Sequence, residues 1–202
     1  GTWLGVNQHG LFVAACNRRK LIPPVVPRSR GVLCRELLRS TSAQEAVGLA
    51  MDELVTKRYE GVNYIIADGE TGWAVHGTDE PEVVPLKEGL NVIGNRNLND
   101  PRDERCTLAS RLLTLQTLDS SVKFLAVASK VFARSPVSPM RPSMVLRSKD
   151  RGTVSSTLLA LGLKPRDAIY QFASGVPDEN RFEDYSPMLR DILSRGLREA
   201  RA

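Results

Sequence analysis

Residues 1–17, GTWLGVNQHGLFVAACN, predict a β-hairpin and therefore an antiparallel sheet. Thr2–Val6 and Leu11–Cys16 are apolar runs with high strand propensity, and the turn-forming sequence Asn-Gln-His-Gly separates them. Gly10 provides a turn position that can adopt a positive φ angle. Because an isolated hairpin is only marginally stable in water, these two strands require further strands beside them.

The rest of the chain contains blocks of strands and blocks of helices. Residues 61–77, GVNYIIADGETGWAVHG, predict a second hairpin, and GLNVIGN at 89–95 predicts another strand. Ser42 and Glu45 have the spacing of a capping box, which predicts a helix that continues to about Tyr59. The remaining predicted elements are Pro-rich loops at 21–31 and 135–142, helices at 31–40, 103–116, 120–133 and from Ser186 onward, and strands at 143–147, 154–161 and 168–172.

This order of elements predicts an α+β fold with antiparallel sheets covered by helices. A Rossmann-type sheet is not predicted, because the strands and helices do not alternate regularly and no Gly-rich phosphate loop occurs. We expect residues 1–202 to form a single domain, since a chain of this length with 42% hydrophobic residues can bury one substantial core.

Charge and composition exclude several classes of function. The net charge is +5, but the basic clusters lack interleaved aromatic residues and known binding motifs, so nucleic-acid binding is not predicted. No apolar stretch reaches the length of a membrane span. Three widely spaced cysteines form neither a metal motif nor a disulfide framework, which favours a reducing, cytoplasmic environment.

Several polar residues lie at the ends of predicted apolar strands. They are Asn17, Asn63, Asn95 and the run Ser155–Thr157. An asparagine at a strand end is usually a turn former, but its amide can instead stabilise an oxyanion in a cleft. His9 and His76 lack the spacing of metal ligands, and a partly buried His76 is expected. The residues alone therefore show no complete catalytic set and predict no cofactor.

Four segments resemble the NRDE family, also called the transport and Golgi organisation 2 family. They are GTWLGVNQHGLFVAACNRR, SRGVLCRELL, GLNVIGNRNLNDP and RGTVSSTLLAL, in that order along the chain. The resemblance implies a fold similar to the N-terminal-nucleophile (Ntn) hydrolases, an αββα sandwich of two antiparallel sheets between helical layers. In that family a Met-Cys start precedes the block that begins here at Gly1, so the resemblance also implies that the first strands are missing.

The resemblance implies an amide hydrolase or acyltransferase that acts on a small-molecule substrate. An upstream cysteine would be the nucleophile, and Asn17 and Asn95 would stabilise the oxyanion. Where the family has arginine in a Gly-Thr-Arg-Ser-Ser motif, this chain has Val154, which weakens the enzymatic interpretation. The alternative is a non-enzymatic protein that binds or transports haem or a lipid. A self-processing reaction that exposes Thr2 as the nucleophile is a further, less favoured interpretation.

Overall fold

The computed structural model describes residues 1–134, 142–150 and 152–200. These residues form two compact units, one from Gly1–Asp103 with the chain from Arg195, and one from Glu104–Ser194. Both units contain an antiparallel sheet and helices, which confirms the predicted α+β class. The single domain expected from the sequence stays a prediction.

The first unit contains a five-stranded antiparallel sheet whose strands follow one another in chain order. Its strands are β1 (Leu4–Val6), β2 (Phe12–Asn17), β3 (Val62–Ala67), β4 (Gly72–Gly77) and β5 (Glu82–Pro85), and its helices are α1 (Arg30–Leu37) and α2 (Ala43–Leu54). The predicted hairpins are β1–β2 and β3–β4, and Gly10 has the expected positive φ angle of 81°.

Helices α1 and α2 cover one face of this sheet. Alternate strand residues such as Val13, Tyr64 and Val75 are fully buried together with Leu37 of α1 and Ala46 of α2. The period of two in the strands therefore places one apolar set in this core and directs the intervening residues to the opposite face. That opposite face carries the candidate site.

Near its end the chain returns to the first unit. Gly196 packs against the turn between β1 and β2, where a Cβ atom would approach the Gln8 carbonyl oxygen to 1.9 Å. Only glycine leaves room for so close a backbone contact. The turn of the first hairpin is therefore supported by the last part of the chain.

The second unit contains a three-stranded antiparallel sheet and its own core. Its strands are β6 (Ser155–Ala160), β7 (Ile169–Ser174) and β8 (Glu183–Asp184), and its helices are α3 (Glu104–Thr114), α4 (Ser121–Phe132) and the start of α5 (Ser186–Glu199). Helix α4 packs on β6, where Leu125 and Leu158 are both buried.

Three local predictions were wrong. Residues 89–95 form no strand, and Glu82–Pro85 pairs with β4 instead. Residues 143–147 contribute only an isolated bridge between Arg147 and Gly152. Helix α2 ends at Leu54 rather than near Tyr59, because Lys57 has a left-handed backbone with φ 58°. The loop predicted at 135–142 lies almost entirely outside the described residues.

Candidate functional site

A row of four side chains with polar or titratable groups crosses the sheet face opposite α1 and α2. The strand register pairs Cys16 of β2 with Asn63 of β3. It then pairs Asn63 with His76 of β4, and His76 with Glu82 of β5. Because side chains directly opposite one another in an antiparallel sheet are close neighbours, the row forms one continuous polar strip.

Asn63 and His76 form the buried centre of this strip, and each side chain is only 1% exposed. The backbone amide of Leu98 donates to His76 Nε2 at 3.3 Å, so the ring proton lies on Nδ1. Nδ1 donates in turn to Asn63 Oδ1 at 2.8 Å. Burial, followed by the nearby positive charge of Arg18, lowers the pKa of His76. His76 is therefore a neutral structural link between the sheet and the segment at Leu98.

The amide nitrogen of Asn63 fixes the segment that contains Asn95. Asn63 Nδ2 donates to the carbonyl oxygens of Gly94 at 2.8 Å and Arg96 at 2.7 Å. These two carbonyls lie on either side of Asn95, whose own side chain is exposed. The Asn95 amide makes no hydrogen bond to any described residue, so it is available to a ligand while its backbone is held in place.

Arg18 places a positive charge beside the same segment. Its guanidinium donates from Nη1 to Asn63 Oδ1 at 3.1 Å and from Nη2 to Asn97 Oδ1. Partial burial lowers the pKa of Arg18, and the carboxylates of Glu82 and Asp100 partly offset that effect. An arginine remains protonated under such conditions, so Arg18 contributes a positive charge beside the segment that contains Asn95.

Asn17 is the last residue of β2 and lies at the same end of the sheet. Strand alternation places it on the side of Val13 and Ala15, whereas Asn63 is on the opposite side. Its side chain is exposed, and no hydrogen bond joins it to Asn95. The structure thus brings Asn95 into the Asn63 network and leaves Asn17 at the strand end next to Arg18.

The part of the chain that contains this site matches a known protein family. The profile of the family described as Transport and Golgi organisation 2 matches residues 1–134, about two thirds of the chain. The chain belongs to the transport and Golgi organisation 2 family. No curated protein matches the sequence significantly. All the residues of the polar strip, together with Asn17 and Asn95, lie within the part that matches the transport and Golgi organisation 2 family.

Neither Cys16 nor Cys34 has the character of an activated nucleophile in this family member. Burial raises the pKa of the Cys16 thiol, and Asp103 raises it further. Burial raises the pKa of Cys34 to about 11. Since the thiolate is the reactive form, the raised pKa of each thiol disfavours either side chain as the nucleophile.

Other groups singled out from the sequence do not join the strip. Val154 is 79% exposed and precedes β6 in the second unit, outside the residues that the family profile matches. His9 is exposed in the first hairpin turn. Across the described part of the chain, no group of three or more His, Cys, Asp or Glu side chains could hold a metal ion, and no helix is long and apolar enough to cross a membrane.

Proposed function

We propose that this chain is part of an Ntn-type amide hydrolase or acyltransferase in which Asn95 and Asn17 stabilise the oxyanion. The observation that carries the proposal is the side-chain amide of Asn95. This amide is exposed and has no hydrogen-bond partner among the described residues, while the buried Asn63 holds the backbone on either side of it. Oxyanion stabilisation requires donors held close to the reacting carbonyl. The hydrogen bonds from Asn63 fix the position of the backbone that carries Asn95.

The proposed reaction begins with a cysteine nucleophile upstream of Gly1 in the intact protein. Its thiolate attacks the carbonyl carbon of the amide, and the electron pair of the C=O bond moves to the oxygen. Asn95 and Asn17 donate N–H groups to that oxyanion, and the charge of Arg18 favours it. The α-amino group of the cysteine, which holds the proton taken from the thiol, passes that proton to the leaving nitrogen as the tetrahedral species expels the amine. The same amino group then takes a proton from water or another acceptor, which attacks the thioester; the acyl product is released and the proton returns to the cysteine sulfur.

The test uses the intact natural protein, whose N-terminus is first determined by terminal sequencing and intact mass. Wild type is screened against N-acyl amides, and Asn95→Ala and Asn17→Ala are assayed on any substrate that is cleaved. Loss of an oxyanion donor is expected to lower kcat roughly 100-fold with little change in KM. Gln116→Ala, which removes an exposed amide from another part of the chain, is the matched control. Unchanged kcat in both asparagine variants would refute the proposal.

The second candidate is a non-enzymatic protein that binds or transports haem or a lipid. It is supported by Val154, which stands where the resemblance implies an arginine. His76 is a poor candidate for a haem ligand because both ring nitrogens are hydrogen-bonded inside the protein. A groove of about 630 Å³ beside α1 and α2 combines apolar residues such as Val32 and Leu49 with the charged residue Arg39. Titration with haem tests this candidate, and the absence of a Soret shift would reject its haem form.

We also propose a cytoplasmic location. The support is that Cys16 and Cys34 form no disulfide, as expected in a reducing compartment. Alkylation of the protein in intact cells, followed by mass spectrometry, tests whether these thiols are reduced there.

A further inference from the structure

The loop between β2 and α1 exposes an unusual set of aliphatic side chains. Residues 19–28 read RKLIPPVVPR. The exposed side chains at its tip are Leu21 at 86%, Ile22 at 76%, Val25 at 100% and Val26 at 83%. Single exposed apolar residues are common, but four within six consecutive residues form a patch of the kind that marks an interaction surface.

Hydrogen bonds hold both ends of this loop, so its tip stays exposed to solvent and does not pack against the sheet. On the incoming side, the backbone amides of Leu21 and Ile22 donate to the two Asp79 carboxylate oxygens at 3.0 and 3.1 Å. On the outgoing side, the Arg28 amide donates to the Arg58 carbonyl oxygen at 2.8 Å. Three prolines at positions 23, 24 and 27 further restrict the backbone between these ends.

Cationic side chains surround the base of the loop. Those without a carboxylate partner among the described residues are Arg19, Lys20, Lys57 and Arg58. Among the carboxylates in the same region, Glu53 pairs with Arg28 and Glu60 lies 3.9 Å from Arg30, whereas Asp79 accepts from the loop backbone and keeps its negative charge. The area around the apolar tip therefore has a net positive charge.

We propose that this loop docks the protein on the surface of an anionic lipid bilayer, with the aliphatic tip inserted and the surrounding cations at the headgroups. An apolar tip with basic residues behind it matches the two layers that such a surface presents, a hydrocarbon boundary below negatively charged headgroups. A protein partner would have to combine an apolar recess with an acidic rim to match the same pattern. The proposal depends only on this loop and not on the candidate catalytic function.

Vesicle co-sedimentation of the whole chain tests the proposal. Wild type is expected to bind phosphatidylcholine vesicles that contain phosphatidylserine, to bind pure phosphatidylcholine weakly, and to lose binding as salt is raised. The double variant Ile22→Ser/Val25→Ser is expected to weaken binding about tenfold or more. Both side chains are exposed to water in the free protein, so they bury apolar surface only when the loop enters the bilayer. Lys57→Ala should weaken binding about fivefold.

Leu163→Ser is the matched control because Leu163 is 95% exposed in the second unit, and it should leave vesicle binding unchanged. Val25→Trp adds a direct measure of depth, since brominated lipids should quench its fluorescence only if the tip enters the bilayer. Absence of binding to phosphatidylserine vesicles would overturn the proposal, as would equal binding by the double variant. Binding of an SH3 domain to the Pro-rich loop without any vesicle binding would assign the loop to a protein partner and also overturn it.

Discussion

Replacement of Asn63 by leucine should destabilise the first unit severely. Leucine is close to asparagine in size but can neither donate nor accept a hydrogen bond, so Asn63→Leu removes four interactions at once. Two are donated to the carbonyls of Gly94 and Arg96, and two are accepted from Arg18 and His76.

The four losses differ in cost. The His76 Nδ1–H lies in a side chain only 1% exposed, so its desolvation remains uncompensated at about 1–3 kcal/mol. Arg18 reaches solvent, and the two carbonyls belong to a surface segment, so water can replace part of each lost hydrogen bond. Each of these three losses therefore costs about 0.5–1 kcal/mol. The expected loss in the free energy of unfolding is about 2.5–6 kcal/mol, a large part of the roughly 5–15 kcal/mol typical of a domain.

Urea denaturation of the whole chain, followed by circular dichroism, measures this change as a shift in the transition midpoint. Asn17→Leu is the matched control, because the side chain of Asn17 is exposed and has no hydrogen-bond partner among the described residues. This substitution should change the free energy of unfolding by less than about 0.5 kcal/mol. A loss below about 1 kcal/mol for Asn63→Leu, or equal losses for the two variants, would refute the assignment of Asn63 as the structural centre of the site.

Three further outcomes are expected. Burial and Arg18 lower the pKa of His76 in the folded state, so the unfolded state binds the proton first as pH falls. Wild type should therefore lose stability below about pH 6.5. His76→Gln should flatten that part of the stability–pH profile, and an unchanged slope would contradict the assignment of His76 as a buried neutral residue. Ser42→Ala should cost about 1 kcal/mol in thermal or urea unfolding, because Ser42 Oγ accepts from the Glu45 amide at the start of α2, and a neutral effect would refute its role as the cap. Cys34 is fully buried, and burial raises the pKa of its thiol to about 11. It should therefore resist alkylation at pH 8 in the native protein but react in urea, which peptide mass mapping can measure. Rapid labelling of the native protein would contradict the buried position.

The hairpins and their faces could be predicted from the sequence because they depend on local chemistry. The alternation of apolar residues and the turn at Asp68 and Gly69 together define the β3–β4 register. That register places Asn63 opposite His76, so the pair at the centre of the site was within reach of sequence reasoning. Asn63 was instead grouped with strand-end turn formers, and the burial of a polar residue inside the strand was missed.

The segment around Asn95 could not be predicted in the same way. Residues 89–95 have the apolar pattern of a strand, but side-chain hydrogen bonds occupy their backbone groups: Asn63 binds the Gly94 carbonyl, and the Asn99 side chain accepts from the Val92 amide. These partners are distant in sequence or depend on the folded loop, so local propensity does not reveal them. Conversely, β5 was missed because proline follows its short Val83–Val84 core, although an edge strand tolerates proline at its end.

The contact between Gly196 and the first hairpin turn has a consequence for the order of biosynthesis. The first hairpin is synthesised before the segment that contains Gly196, which supports the hairpin turn. Closing so long a chain segment has a large entropic cost, and contacts of this sequence separation form late. A nascent chain therefore exposes an incompletely supported hairpin until the segment at Gly196 has emerged from the ribosome, and during this interval a chaperone can bind the unsupported hairpin.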